Sequence, residues 1–329
     1  MKIGLFSALQ SAPGDDLRGD WEAFLGQVRC ARDVGFSSVL LGQHLVTAPM
    51  QMLQPMPVLA RLASETDHMM IGPGILLLSM MNPVMVAEES ATIDWLSGGR
   101  FVLAGGLGYR PEEFEATNVA LGERASRLSE AVTVIKRLWT EDRLTHEGVH
   151  FRLTNVGASV RPQQSPRPPI WLGGDVEPAV RRAARIADAW LGAPTTTTAR
   201  ARELLDVFRA ERERLGESIT PCPLIRECFV GSTVEQARRL SRGPLLEKYR
   251  AYASWGQSDT EGSLEANFDE FAADRFLIGD VHSVRDQIER YREELGIEHL
   301  LLRVQWFGLN HGEALANVRR IGEIIGQLS

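Results

Sequence analysis

The chain has 329 residues, of which 44% are hydrophobic and 24% are charged. This length can bury a large core, and because no linker interrupts the pattern we predict one domain over residues 1–329. The formal net charge is −7, with acidic and basic residues interspersed. A protein that binds a nucleic-acid backbone needs a basic stripe, so the composition argues against a nucleic-acid partner.

The sequence also argues against a membrane protein and against a metal site. The longest apolar run, 69–81, contains two glycines and a proline, whereas a membrane span needs about 20 apolar residues. The amino terminus turns polar too early for a signal peptide. The cysteines are odd in number and widely spaced, which favours reduced core thiols in a cytoplasmic protein: Cys30, Cys222 and Cys228.

Short apolar runs alternate with amphipathic stretches, a pattern that predicts strands and helices in turn. We predict strands over residues 2–7, 38–41, 70–78, 101–105, 170–172, 189–191, 224–230 and 299–306. We predict helices over residues 21–34, 57–65, 83–96, 126–139, 178–186, 200–215, 233–252, 281–295 and 313–328, with a short hairpin near 145–152.

Eight strands that alternate with helices predict a parallel sheet, and eight strands can close a (β/α)8 TIM barrel. An open doubly wound sheet is the alternative. It would carry a Gly-x-Gly-x-x-Gly turn near the first strand, and residues 7–20 contain no such turn. The sequence therefore favours an α/β fold of the (β/α)8 barrel type.

The connection after the seventh strand is unusually long. About 50 residues separate residue 230 from the helix at 281, whereas most connections hold about 4–6 residues. Its polar, glycine-rich part, 254–263, follows the carboxyl end of a strand, where barrel enzymes place their active sites. We predict a lid over this segment; the alternative is a surface insertion.

Four segments resemble a known family. The runs DWLSGGRF at 94–101, AGGLGY at 104–109 and PPIWLGG at 168–174 follow one another as in the luciferase-like monooxygenases, and LIGD at 277–280 resembles the start of that family's last helix. The resemblance covers nearly the whole chain. It implies a TIM barrel that binds FMN or the deazaflavin F420.

The turn after the fifth strand is a candidate phosphate site. Gly173 and Gly174 close the strand just before a helix, whose first N–H groups lack internal partners and attract anions. An ordinary βα turn is the alternative from the residues alone. The resemblance implies that this turn, with Asp175 and Val176, holds the cofactor phosphate. Asp175 repels a phosphate unless it caps the helix with its carboxylate turned away.

Two further segments are candidates for contact with the cofactor ring. Gly105, Gly106, Leu107 and Gly108 lie at the end of the fourth strand, where glycines let a flat ring approach the backbone; a tight turn is the alternative. Several luciferases have Cys and Arg where Gly106 and Leu107 stand here, and Arg110 is a candidate replacement for that Arg. In the third strand, the resemblance implies a non-prolyl cis peptide at Gly74–Ile75 beside the ring; packing of glycine against a helix is the alternative.

His44 is the candidate catalytic residue. It follows the second strand and so lies at the active face of a barrel. Histidine titrates near neutral pH and serves as a base or a hydrogen-bond donor, although a lone histidine is more often structural. The resemblance places a histidine here near the reactive edge of the flavin.

Methionines concentrate around the third strand, with eight of the nine between Met50 and Met85. Core or subunit packing is the simpler interpretation. The alternative is an adaptable apolar substrate pocket beside the flavin, formed by Met50, Met52, Met80 and Met81.

Three functional hypotheses follow. The first is a monooxygenase that receives reduced FMN from a separate reductase, activates O2 and oxidises a small organic substrate, with the chain as a homodimer. The second is an F420-dependent hydride-transfer oxidoreductase. The third is a non-catalytic flavin-binding or partner subunit.

Overall fold

The computed structural model of the protein describes residues 1–256 and 268–328. In chain order, its strands are β1 (Lys2–Ser7), β2 (Gln10–Ser11), β3 (Ser38–Leu41), β4 (Gln51–Met52), β5 (Met70–Leu76), β6 (Leu103–Gly105), β7 (Leu144–Glu147), β8 (Arg152–Val156), β9 (Ile170–Gly173), β10 (Ala189–Leu191), β11 (Leu224–Val230), β12 (Phe276–Gly279) and β13 (His299–Arg303).

The helices are α1 (Leu17–Asp33), α2 (Pro55–Leu62), α3 (Pro83–Leu96), α4 (Pro111–Ala116), α5 (Arg124–Thr140), α6 (Glu177–Ile186), α7 (Thr198–Leu215), α8 (Val234–Ser254), α9 (Phe268–Ala273), α10 (Val281–Leu295) and α11 (His311–Ile325). Single turns of 3-10 helix lie at Leu78–Met80 and Leu121–Glu123. No helix in the described part of the chain is long and apolar enough to cross a bilayer.

Nine strands of the described chain form one parallel sheet, in the order β10-β9-β6-β5-β3-β1-β13-β11-β12. The sheet curls round, because a parallel bridge joins Gly192, just after β10, to Leu224 of β11. The N–H of Ile225 donates to the Gly192 carbonyl at 3.0 Å. The carboxyl ends of the strands therefore meet along one rim, which we call the carboxyl rim.

Most strand residues are apolar and buried on both faces, as in the buried strands of a parallel sheet. All residues of β3 and β11 are buried, for example. Below the carboxyl rim, polar groups pair inside the curl: the Ser38 hydroxyl lies 2.9 Å from His299 Nε2, and the ring of Trp171 packs edge-on against the imidazole. Burial lowers the pKa of His299 to about 4.

The structure confirms the α/β class and the parallel sheet but corrects the strand count. The sheet has nine strands among the described residues, because Phe276–Gly279 pairs with β11 as β12. The sequence pattern predicts only the start of a helix in this stretch. Two predicted strands also extended too far: β5 ends at Leu76 before a 3-10 turn, and β13 ends at Arg303.

One helix begins earlier than expected, whereas the helix predicted after the seventh strand is present. The helix predicted over 21–34 begins earlier, at Leu17, because the Asp16 side chain accepts a hydrogen bond from the N–H of Arg18 and caps the helix there. In the long connection after β11, α8 is present and ends at Ser254. Residues 257–263 of the predicted lid lie outside the described residues, so the lid stays a prediction.

Candidate active site

The segment after β3 carries His44 to the carboxyl rim and is held there by amide side chains. The Gln43 side chain accepts a hydrogen bond from the N–H of Leu77 at 2.8 Å and donates to Gln54 Oε1 at 3.0 Å. Gln54 in turn donates to the His44 carbonyl at 3.0 Å. Hydrogen bonds therefore connect the segment that carries His44 to the end of β5 and to the start of α2.

His44 forms a buried pair with Glu113, the second glutamate of α4. The Nδ1 atom lies 2.9 Å from Glu113 Oε1, which also accepts the N–H of Leu45 at 2.9 Å. Glu113 is fully buried, whereas 11% of the His44 side chain is exposed. Within residues 1–256 and 268–328, Nε2 of His44 has no hydrogen-bond partner. A carboxylate on one ring nitrogen fixes the ring and its tautomer and leaves the other nitrogen for a proton transfer.

Aromatic rings enclose this pair. The imidazole of His44 lies 5.7 Å from the ring of Tyr109, 5.8 Å from that of Tyr252 and 5.2 Å from that of Trp255, measured between centroids. Burial raises the pKa of the Tyr109 phenol, so Tyr109 stays neutral. Its hydroxyl is buried and has no hydrogen-bond partner among the described residues. A donor without a partner beside His44 is available to a bound molecule.

Arg110 belongs to the same enclosure. Its Nη1 donates to the Leu45 carbonyl at 2.8 Å, and its guanidinium lies 4.5 Å from the centre of the Trp255 ring. Arg110 is only 5% exposed. These contacts hold Arg110 on the His44 side of the rim. Its Nε has no hydrogen-bond partner among the described residues, and its contact with a cofactor stays a prediction.

Ile75 brings two of the predicted glycine turns together. The Gly74–Ile75 peptide is cis, as the family resemblance implied. A Cβ at Gly106 would lie 2.0 Å from Ile75 Cδ1, and one at Gly173 would lie 3.2 Å from Ile75 Cγ2. Glycine is therefore required at Gly106 for this side chain to lie where it does. Ile75 itself remains partly exposed at the rim.

The other predicted ring-contact residues, at the end of β6, also have packing contacts, and their contact with a cofactor stays a prediction. A Cβ at Gly105 would lie 2.2 Å from Leu78, and one at Gly108, whose φ is +74°, would lie 2.5 Å from Met80. The carbonyl of Leu107 accepts a hydrogen bond from Ser79 Oγ at 2.6 Å. This turn therefore packs against the 3-10 turn at Leu78–Met80. Gly106 is the residue of the turn that faces Ile75.

The turn after β9 leads directly into α6. The carbonyl of Gly174 accepts a hydrogen bond from Trp190 Nε1 at 2.7 Å, which fixes the turn to β10. The N-cap residue is Val176, which offers no capping side chain, so Asp175 is not the capping residue. Asp175 is half-buried, and Glu177, in the first turn, pairs with Arg181 at 2.7 Å. The first turn of α6 therefore lacks a side-chain cap.

The methionines divide between the core and the surface. Met56, Met69 and Met80 are buried, whereas Met85 is 60% exposed. Met80 packs with Leu77 and Phe114 in a small cluster beneath the rim. Met50, Met52 and Met81 are half-buried. Core packing thus accounts for the buried methionines, and the substrate-pocket interpretation stays a prediction for the other three.

Sequence reasoning missed a second polar cluster at the rim. Glu227 of β11 is fully buried and contacts Lys248 and the indole N–H of Trp306, while Tyr249 donates to it at 3.2 Å. Burial opposes its ionisation, but the charges of Lys248 and Arg303 outweigh this and lower the pKa of Glu227. Arg226 and Glu227 are adjacent charged residues within an otherwise apolar strand, and this was the available sign that polar groups are buried here.

Taken together, a curled parallel sheet carries an oriented histidine and two glycine turns on its carboxyl rim. This arrangement is typical of α/β barrel enzymes, which build their active sites from the loops after the strands. A family model described as luciferase-like monooxygenase matches residues 1–299. The chain belongs to the luciferase-like monooxygenase family, and it is an enzyme.

Relatives within the family use two kinds of cofactor. An F420-dependent glucose-6-phosphate dehydrogenase from Nakamurella multipartita is 27% identical, over 90% of this chain and 91% of that protein. The crystal structure of the monooxygenase RslO1 from Streptomyces bottropensis matches with a TM-score of 0.88 and 23% identity, covering 99% of each chain.

A third relative contains FMN. The oxygenating constituent of 3,6-diketocamphane monooxygenase from Pseudomonas putida, in complex with FMN, has a TM-score of 0.82 and 18% identity, covering 100% of this chain and 99% of that one. Matches over the whole length confirm the α/β architecture. FMN and F420, the two cofactors predicted from the sequence, both occur among the relatives.

Proposed function

We propose that this protein is an FMN-dependent monooxygenase that oxidises a small organic substrate. The observation that carries the proposal is the His44–Glu113 pair, which presents an oriented imidazole at the carboxyl rim beside an unpartnered phenol. The whole-length similarity to RslO1 and to the FMN-containing constituent from Pseudomonas putida supports the choice of oxygen chemistry.

The residues present fit the cofactor. Ile75 lies over Gly106 and Gly173 and offers a partly exposed apolar surface to a planar ring. The turn at Gly174, Asp175 and Val176 leads into a helix start without a side-chain cap, which suits a phosphate, although the nearby carboxylates oppose an anion. We propose that these residues hold FMN, which when bound and reduced supplies the electrons and reacts with O2.

The chain's own residues position the proton and exclude water. Glu113 fixes Nδ1 of His44, so that Nε2 accepts or donates the proton required at the substrate. Tyr109 stays neutral, and its unpartnered hydroxyl donates a hydrogen bond to the bound molecule. Trp255 and Tyr252 cover His44, and a covered site strengthens each of these interactions by removing solvent.

The test is an anaerobic titration of the protein with reduced FMN and with reduced F420, followed by admission of air. We expect reduced FMN to bind and O2 to be consumed, and His44→Asn to lower substrate oxidation while binding of reduced FMN persists. Tight binding of F420 with weak or absent binding of reduced FMN overturns the proposal.

F420-dependent hydride transfer is the second candidate. The relative from Nakamurella multipartita is F420-dependent and matches 90% of this chain. An imidazole held by a carboxylate also suits proton removal from an alcohol as hydride leaves its carbon. The same titration distinguishes the two candidates. F420 passes hydride to a substrate without O2, so an F420-dependent enzyme binds reduced F420 and does not consume O2 when air is admitted.

We also propose the partners expected of such an enzyme. The relative from Pseudomonas putida is an oxygenating constituent, which supports a separate reductase as the source of reduced FMN. A homodimer is supported by α3, where Met85, Trp95 and Leu96 are each more than half exposed. We further propose that residues 1–329 form one domain, since one core cluster extends from Ile3 to Ile324.

A further inference from the structure

A buried cation, Arg303, lines a cavity on the carboxyl rim at the ends of β1 and β13. A cavity of about 610 Å³ opens there, with Gln10 and Arg303 among its lining residues. Arg303 is only 3% exposed, and its Nε has no hydrogen-bond partner among the described residues. A buried donor without a hydrogen bond is energetically costly, so a guanidinium of this kind in a cavity wall favours binding of an acceptor in that cavity.

No carboxylate of the described chain is hydrogen-bonded to Arg303. Its Nη2 donates to Gln10 Oε1 at 2.9 Å and its Nη1 to the Tyr252 hydroxyl at 3.4 Å, both neutral groups. The nearest buried acid, Glu227, is already used by Lys248, Tyr249 and Trp306. The Gln10 amide nitrogen is likewise buried without a partner in residues 1–256 and 268–328.

The rest of the cavity combines helix amino termini with aromatic walls. The starts of α1 and α11 both line it, and each contributes partial positive charge. Trp21 and Phe24, with ring centroids 6.1 Å apart, form an apolar wall.

Three acidic residues also line the cavity. Asp15 and Asp16 are exposed, and each accepts a backbone N–H nearby. The third, Asp20, is half-buried and pairs with His311 at 3.0 Å. Two of these carboxylates are thus exposed and the third is paired, whereas Arg303 and the Gln10 amide nitrogen are buried.

Tyr252 connects this cavity to the His44–Glu113 pair. Its hydroxyl lies 3.3 Å from Gln10 Oε1, while its ring lies 5.8 Å from the imidazole of His44. A molecule seated against Arg303 is therefore one side chain away from the proposed catalytic histidine.

We propose that this cavity binds the carboxylate of an aromatic organic acid, with Arg303 and Gln10 as its anchors. The identification of that acid as the substrate rests on the proposed function; the binding itself does not. The guanidinium supplies the unused Nε–H, the Gln10 amide supplies a second N–H, and the Trp21 and Phe24 wall packs against the ring.

The test uses two isosteric probes, 2-naphthoate and its neutral amide 2-naphthamide, titrated calorimetrically into the full chain without cofactor. We expect 2-naphthoate to bind at least about tenfold more tightly than 2-naphthamide, because only the anion satisfies Arg303. Arg303→Gln should remove this preference while changing 2-naphthamide affinity less than about twofold. Equal affinities in the unaltered protein overturn the proposal.

A second variant tests the proposal independently if Arg303→Gln does not fold. Gln10→Glu places a carboxylate beside the guanidinium from a half-buried position, and it should likewise abolish the preference for 2-naphthoate. Arg18→Gln, which removes the same charge from an exposed position on α1, is the matched control and should preserve it. Retention of the preference in Gln10→Glu overturns the proposal. His44→Asn should leave 2-naphthoate affinity unchanged, so failure here is distinct from failure of the proposed function.

Discussion

Ile75 and Gly106 fit so closely that a methyl group on Gly106 would lie 2.0 Å from Ile75 Cδ1. The contact joins the ends of β5 and β6 at the rim. It therefore sets where the Ile75 side chain lies relative to the space proposed for the flavin ring.

Gly106→Ala should weaken binding of reduced FMN by about tenfold, equivalent to about 1.4 kcal/mol. The new methyl displaces the end of a flexible side chain, so the cost in unfolding free energy should stay near the lower end of the usual 1–3 kcal/mol for overpacking. Fluorescence titration and urea unfolding measure the two quantities. Gly26→Ala, at a helical position with nothing within 4 Å of the added methyl, is the matched control and should leave FMN affinity unchanged.

Glu113→Gln should lower turnover by about 100-fold or more while cofactor affinity changes little, since a general acid–base group contributes about 10²–10⁴. The reason is that Glu113 orients His44 through a 2.9 Å hydrogen bond. Glu112→Gln, at the exposed neighbouring position on α4, is the matched control.

The double variant of His44 and Glu113 gives the sharper measurement. If the two residues act as one unit, His44→Asn combined with Glu113→Gln should lose little more activity than His44→Asn alone. Multiplicative losses in steady-state kinetics would show instead that Glu113 acts independently of His44.

Local patterns predicted the strands well and the site only in part. The apolar runs of β3 and β10 are buried on both faces, so composition alone located them. His44 and the glycines follow such strands and could be placed at the rim by position. Glu113 could not, because its partner His44 lies 69 residues away along the chain and the pairing depends on where α4 packs.

The errors have similar causes. β12 contains four residues and is followed after one residue by α10, so its apolar character was attributed to the approach to that helix. Arg303 and Gln10 lie on different strands at opposite ends of the sequence and meet only because β1 and β13 are neighbours in the sheet. Long-range pairing of this kind leaves no periodic sign in either segment.

The buried His299 should make the protein less stable in acid. Its pKa is lowered from 6.5 to about 4 by burial, so the unfolded chain binds the proton more readily than the folded one. The stabilisation is complete above pH 6.5 and is lost as pH falls toward 4, amounting to about 3 kcal/mol.

Urea unfolding of the protein and of His299→Gln between pH 7 and pH 4 measures this contribution by difference. The variant should lose less stability over that interval. Ser38→Ala removes the hydroxyl 2.9 Å from Nε2 but keeps the buried imidazole, so it should retain the acid dependence. Parallel curves for the protein and His299→Gln would contradict the assignment.

The hydrogen bond from Trp190 to the Gly174 carbonyl should matter for the phosphate of the cofactor. Trp190→Phe removes a 2.7 Å bond that fixes the turn before α6, while the ring remains buried. We expect binding of reduced FMN to weaken severalfold, because the turn then loses the fixed geometry that suits a phosphate. Binding of reduced riboflavin, which lacks the phosphate, should not change.

Trp139→Phe provides the matched control for this prediction. Trp139 is also buried and donates its indole N–H to a backbone carbonyl, that of Ala87, at 3.0 Å. Both variants should lose about 1 kcal/mol of unfolding free energy, the usual contribution of one hydrogen bond. Only Trp190→Phe should weaken binding of reduced FMN without changing binding of reduced riboflavin. An equal effect of the two variants on FMN would mean that general stability, and not the turn at Gly174, governs cofactor binding.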